Sequence, residues 1–374
     1  MTMTSRERVK RTLVRQETDK IPIDFGGTLV TSLDAKAHRR FCAYMGIQAE
    51  ERPIIDYSMG TVEPCEELMK IFGSDFRRVS LNSSIPDIVD DQFTGSFGIR
   101  LKRAYPHDYY DMIYHPMSEC TMDAIDRLSM PDPDNPALYC GLRDRARDLY
   151  ENTPYAIVAD FGVPGFYETS QKLRGYENLA CDIILEDDFI SALYDKLLIL
   201  QQRFFKQYLD AVSDYVEVIC YADDLGMQDR LQISPEIYRG KVKPYHTKIL
   251  KFIHDNYDVK VMLHSCGSVA SIIPDLTEAG FDIINPVQTR AYDMDARNLK
   301  ERFGNSTIFW GGFDEQIVLP FGTEADIEAE AIQCMKVLGD GGGYIFAVSH
   351  NIQADTPPEN IEKMFRYAQK YRER

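Results

Sequence analysis

No stretch of this 374-residue chain approaches the roughly 20 apolar residues that span a bilayer. The opening MTMTSRERVKRTLVRQ is charged and has no apolar centre, so it does not read as a secretory signal. Clustered lysine and arginine are also missing. The 42 basic residues are outnumbered by 59 acidic ones, giving a formal net charge of −17. Nucleic acid and anionic membrane are therefore poor partners, since both need a basic face. The expected location is the cytoplasm. Eight cysteines occur without one CxxC pair, which argues against paired-cysteine zinc ribbons and leaves most of them as small buried apolar residues. No GxGxxG follows a first strand, and GDGGGYIF has no Lys-Ser/Thr after it and leads into a strand, so neither a dinucleotide fingerprint nor a P-loop is present. Internal repeats and low-complexity tracts are absent too.

What the chain does contain is a succession of short apolar strands, most of them followed by a helical pattern. The strands read as 20–27, 75–82, 155–162, 215–224, 259–267, 282–288, 307–315 and 344–351. The later connections carry helix signals: Ser-Pro opens 234–256, a glycine closes 269–280, and a Thr cap with acids begins 323–343. Helical connections of this length leave no room for hairpins, so consecutive strands run parallel. Eight such units predict an α/β fold, a (β/α)8 TIM barrel; an open doubly wound sheet is the alternative. The whole chain, 1–374, reads as one barrel domain with an N-terminal helical segment. Residues 83–150 read as an insertion over the barrel mouth, a lid-like hairpin and loop.

Chemistry concentrates where the strands end. In VKVMLHSCG, alternation places His264 and Cys266 on one face with Met262, while Val261 and Leu263 take the other. An imidazole and a thiolate two residues apart on one strand face can reach a single zinc ion, and His350 at the end of the eighth strand offers a third ligand. Inert, hydrogen-bonded core residues would look the same at this level. Asp223 and Asp224 end the fourth strand, and Asp223 is favoured to point inward as an acid/base group or weak ligand; either could equally cap the next segment. Asn285 and Gln288 after the sixth strand and Asn351 after the eighth suit recognition of a polar, uncharged substrate group, or simple loop closure.

The stretches YADDLGMQDRLQISPEIYRGKVKPYHTKI, LHSCGSV, NPVQTRAYDMDARNLKERFG, FWGGFDEQIVLPFGTEADI and GGGYIFAVSHNIQADTPPENI resemble the uroporphyrinogen decarboxylase superfamily. The resemblance implies a (β/α)8 barrel and one of two activities. Its decarboxylases grip porphyrinogen carboxylates with an arginine-rich segment near the N-terminus, and the equivalent IPIDFGGTLVTSL has no arginine. Its corrinoid-dependent methyltransferases carry His-x-Cys and a distant cysteine six residues before Thr-Pro. His264 and Cys266 match the first pair, and His350 stands where that cysteine would be. Two imidazoles and one thiolate leave a less electron-rich metal than two thiolates, which shifts the expected substrate from a thiol towards a methyl ether. The implied function is zinc-dependent methyl transfer from a small methylated substrate to a separate corrinoid protein, since the chain has no Asp-x-His-x-x-Gly of its own. A metal-free decarboxylase-like lyase and a non-catalytic small-ligand-binding barrel are the alternatives.

Overall fold

The computed structural model describes residues 2–48, 50–105, 109–160, 162 and 165–373. Seven parallel strands form one curled sheet in chain order: β1 (Phe76–Val79), β2 (Ala156–Ala159), β3 (Val218–Ala222), β4 (Lys260–His264), β5 (Ile283–Asn285), β6 (Ile308–Trp310) and β7 (Tyr344–Ile345). The eighth position is held by residues 22–24. Phe346 N donates to Pro22 O (2.9 Å) and Asp24 N to Phe346 O (2.8 Å), while Asp75 N donates to Ile23 O (2.8 Å). These bonds close the sheet into the predicted barrel. The first segment makes a parallel bridge at Ile23 rather than a long strand. Pro22 has no N–H to donate, and Gly26, at φ 81°, turns the chain away.

Side-chain alternation sorts two apolar layers. Phe76, Val158, Val218, Cys220, Met262 and Trp310 fill the barrel interior, whereas Ile219, Tyr221, Val261 and Leu263 pack outward into the larger core beneath the helices. Met262 thus faces inward and Val261 and Leu263 outward, as the alternation predicted. A first helix, α1 (Ser5–Thr12), opens with a Thr4/Glu7 capping box and pushes Val9 and Leu13 into the interior layer, plugging the barrel. Each of those two side chains contributes about 2 kcal/mol by burial.

The stretch 28–74 holds helices α2 (Ala35–Tyr44) and α3 (Glu66–Ile71), and also a small antiparallel sheet that the sequence did not announce. Leu33–Asp34, Ile54–Asp56 and Thr61–Val62 form it, and Leu33 bridges to Ile352. Ile352 N donates to Ser32 O (3.0 Å) and Asp34 N to Ile352 O (2.8 Å), which pins this sheet against the loop after β7. Within 83–150 the expected hairpin is a three-stranded meander, Gln92–Thr94, Arg100–Arg103 and Tyr110–Tyr114. The third strand forms because Tyr110–Tyr114 runs back along Arg100–Arg103. It reaches the turn of the small 33–62 sheet through Tyr110 N to Ser58 O (3.0 Å). No helix among the described residues is long and apolar enough to cross a membrane.

Candidate metal centre

His264 is the last residue of β4, and its register places it between two very different neighbours: Ala222 on β3 and Asn285 on β5. The small alanine leaves space, and the amide supplies a partner. His264 Nδ1 lies 2.6 Å from Asn285 Oδ1, and Asn285 Nδ2 donates to Trp310 O (3.1 Å). With the amide nitrogen committed to a carbonyl, its oxygen faces the ring, so Nδ1 carries the proton and Nε2 keeps its lone pair. His350 is prepared in the same way. Its Nδ1 donates to Asn351 Oδ1, and Asn351 Nδ2 donates to Thr61 Oγ1 (3.1 Å). The two rings approach edge-on, with centroids 5.6 Å apart.

Cys266 completes the set. Its Sγ is 3.4 Å from His264 Nε2, and one donor atom each of His264, Cys266 and His350 all lie within 4.8 Å of one another. Ligands at about 2.0 and 2.3 Å from a tetrahedral ion sit about 3.5 Å apart, so the nitrogen–sulfur edge already has the length that a bound zinc needs. The backbone of Cys266 is seated by its N–H to Asp224 Oδ1 (2.9 Å). It is also seated by a very close approach of the loops after β3 and β4. A Cβ on Gly226 would lie 2.4 Å from Cys266 O, so no other residue fits there without moving the ligand.

The electrostatics ask for a cation. Burial pushes the Cys266 thiol well above its ordinary value, and Asp224, Glu315 and Glu168 add to the shift. Burial likewise holds His350 neutral, down to about 4, with His264 adding to the effect. Burial and Glu168 raise Asp224, and burial raises Glu315 to about 7. Burial raises Glu168 too, but the Lys172 ion pair outweighs it and draws the carboxyl below its ordinary value. A thiol among buried carboxyls is a poor place for a lone thiolate and a good one for a thiolate shared with a divalent ion.

The other expected site residues fall differently. Asp223 does not point inward. It is fully buried in the outer layer, where it accepts from Phe166 N (3.1 Å), Tyr167 N (3.2 Å) and Glu168 N (2.7 Å) at the start of α4 (Phe166–Arg174), with His246 Nε2 at 2.9 Å. The helix start sits so close that a Cβ on Gly165 would lie 2.3 Å from the Asp223 side chain. The reason is layer size: bulky Tyr221 belongs beneath the helices and small Cys220 inside the barrel, so Asp224, sharing the parity of Cys220, takes the inward place. Asn285 and Asn351, expected to touch substrate, orient the two histidines. Gln288 Oε1 accepts from Gly267 N (2.5 Å), and its Nε2 faces Glu315 (3.5 Å). Thr61 and Glu168 escaped the sequence reading: Thr61 lies almost 300 residues from its partner, and Glu168 has only its place after β2 as a signal.

An Asn285→Ala protein is expected to bind metal about 10–100-fold more weakly, because ring orientation and tautomer are no longer fixed. Competition titration with a chelator measures this directly.

A model of the uroporphyrinogen decarboxylase (URO-D) family matches residues 117–371. A uroporphyrinogen decarboxylase of Psychromonas ingrahamii is 24% identical over 375 residues, covering 96% of this chain and 95% of its own. The methylcobamide:CoM methyltransferase MtbA of Methanosarcina mazei is 30% identical over 189 residues, half of each chain. Among solved structures, a methyltransferase from Methanosarcina mazei aligns over 99% of both chains with a TM-score of 0.65 at 17% identity, which supports the fold. The family contains both decarboxylases and methyltransferases, all enzymes, and this chain, a barrel closed by residues 22–24 with its histidines and cysteine at the strand ends, belongs to it.

Proposed function

We propose that the protein is a zinc-dependent methyltransferase that takes a methyl group from a small methylated substrate, a methyl ether, and passes it to a corrinoid carried by a separate protein. The observation behind this reading is the pair of imidazoles whose Nδ1 atoms are both spent on fixed amide oxygens, leaving two Nε2 lone pairs and the Cys266 sulfur around one point. His264, Cys266 and His350 would hold the ion. Bound there, zinc supplies Lewis acidity that stabilises negative charge on a departing oxygen.

The chain's own residues set the conditions for that chemistry. Asn285 and Asn351 keep both imidazoles oriented, and Asp224 holds the Cys266 backbone. Asp224, rather than Asp223, would receive or return a proton at the oxygen once the carbon–oxygen pair of electrons has stayed with it; its support is its contact with the Cys266 backbone. The decarboxylase alternative needs cations for a polyanionic substrate. Arg78, near the end of β1 with its side chain 8% exposed, is already committed to Asp160 (2.8 Å), with Glu63 at 3.8 Å. A neutral ether matches such surroundings better than a polycarboxylate.

The test uses zinc-loaded protein, an aryl methyl ether and free reduced cobalamin standing in for the partner's corrinoid. Methylcobalamin formation that needs both the ether and the metal supports the reading. Chelator-insensitive release of carbon dioxide from a carboxylated tetrapyrrole, without methyl transfer, overturns it. A companion variant probes the ligand set. His350→Cys is expected to keep its metal and, with cobalt(II) in place of zinc, to show a stronger sulfur-to-metal charge-transfer band than the unsubstituted protein, because a second thiolate joins the shell.

A further inference from the structure

A second cluster of soft donors lies outside this centre. On α2, His38 and Cys42 are four residues apart and share one helix face. Cys65 caps the start of α3 and meets them from across the loop. Cys42 Sγ is 3.5 Å from His38 Nε2 and 3.9 Å from Cys65 Sγ, and the three donor atoms lie within 4.8 Å of one another. For a tetrahedral zinc ion, ligand edges of about 3.5 Å between nitrogen and sulfur and about 3.8 Å between sulfurs are expected. Both edges match without moving either backbone.

From this geometry we infer that His38, Cys42 and Cys65 form a second zinc site, structural rather than catalytic. Entry is provided by a cavity of about 360 Å³ that opens beside His38 and is lined by Arg39, Glu51, Arg52 and Pro53. Glu51 or a water supplies the fourth position. The Cys65 N–H now donates to His38 Nε2 (3.2 Å), and binding exchanges that bond for one from Nε2 to the ion. The two arginines suit a centre in which two thiolates already cancel the charge of the ion.

The position gives the site a consequence. α2 begins directly after the strand Leu33–Asp34, and Cys65 follows three residues after Val62. These two strands pair with each other, and Thr61, in the second of them, holds Asn351, the partner of His350. Closing the second site therefore clamps the scaffold on which one ligand of the first centre is hung.

Zinc counting on the full-length protein after dialysis against a weak chelator tests this independently of activity. Unsubstituted protein is expected to retain two equivalents, His264→Ala one, and His264→Ala with Cys42→Ser none. Cobalt(II) added to the metal-free His264→Ala protein is expected to give a thiolate charge-transfer band that disappears when Cys42 is also serine. A His264→Ala protein that takes up neither zinc nor cobalt while both thiols titrate as free overturns the inference. So does a native protein in which Cys42 and Cys65 are joined as a disulfide. Neither outcome requires Cys42→Ser to fold. Should the first centre hold no metal, His264→Ala and its parent retain the same single equivalent, so the two readings fail separately.

Discussion

Replacing His264 with alanine is expected to remove the catalytic metal and to lower methyl transfer on the order of 10³-fold, while the fold persists. The size follows from what the substitution takes away. The imidazole supplies one of three protein ligands, and the others, Cys266 and His350, lie on different strand ends with no bond between them. A thiol that burial and three carboxyls hold protonated does not recruit an ion by itself. Loss of the several kcal/mol of charge stabilisation that a Lewis acid gives corresponds to about three powers of ten in rate. The cavity left by the ring lies at the polar end of the barrel, against Ala222 and Asn285, rather than in the apolar interior, so stability is expected to change little. Metal content, methylcobalamin formation and circular dichroism of one preparation separate these effects. A variant that loses its metal but keeps its rate would show that the ion has no part in the reaction.

The second large effect concerns the opposite end of the barrel. Asp75, just before β1, is 2% exposed and is shared among four donors: Ser5 Oγ (2.7 Å), Arg8 Nη1 (2.6 Å), Ile23 N (2.9 Å) and Arg372 Nη2 (2.5 Å). One carboxylate thus ties α1, the closing segment and the chain's last helix to the first barrel strand. Burial, aided by repulsion from Arg8, already holds Arg372 below its ordinary value in spite of the Asp75 charge. In an Asp75→Ala protein two guanidiniums and a backbone N–H stay buried without this acceptor. Breaking a buried pair by removing one partner costs about 3–5 kcal/mol, far more than a surface ion pair contributes. For a chain of this size the melting temperature is expected to fall by roughly 5 °C. Differential scanning calorimetry reads that shift, and zinc stoichiometry at 20 °C is expected to be unaffected because the metal centre lies at the other end of the strands. A shift within 1–2 °C would show that closure does not depend on this carboxylate.

The clustering of His264, Cys266 and His350 could be read from the sequence because these residues obey local rules. His264 and Cys266 are two residues apart on a strand, and strand parity alone places them together. His350 came from the end of another strand, and a closed barrel brings strand ends to one rim whatever the distance along the chain. Parity failed at Asp223 because both of two adjacent aspartates end the same strand, and only the contest between Tyr221 and Cys220 for the wide and narrow layers decides which faces in. Asn285 and Asn351 were recognised as rim residues, but their contacts with the two imidazoles were not legible, since whether an amide faces an imidazole depends on cross-strand register. The small sheet at 33–62 carried no legible pattern: its strands are two or three residues long, too short for an alternation to stand out. For the same reason the pairing of Cys42 with Cys65 was invisible, since it depends on how that sheet folds back α2 onto α3.

One measurement bears most directly on the central claim, that three side chains from two strand ends hold one ion. It is anomalous diffraction at the zinc edge from crystals of the purified protein. The account predicts a peak about 2.0–2.3 Å from His264 Nε2, Cys266 Sγ and His350 Nε2 together. An active, fully ordered crystal with no anomalous peak between those three atoms would contradict it.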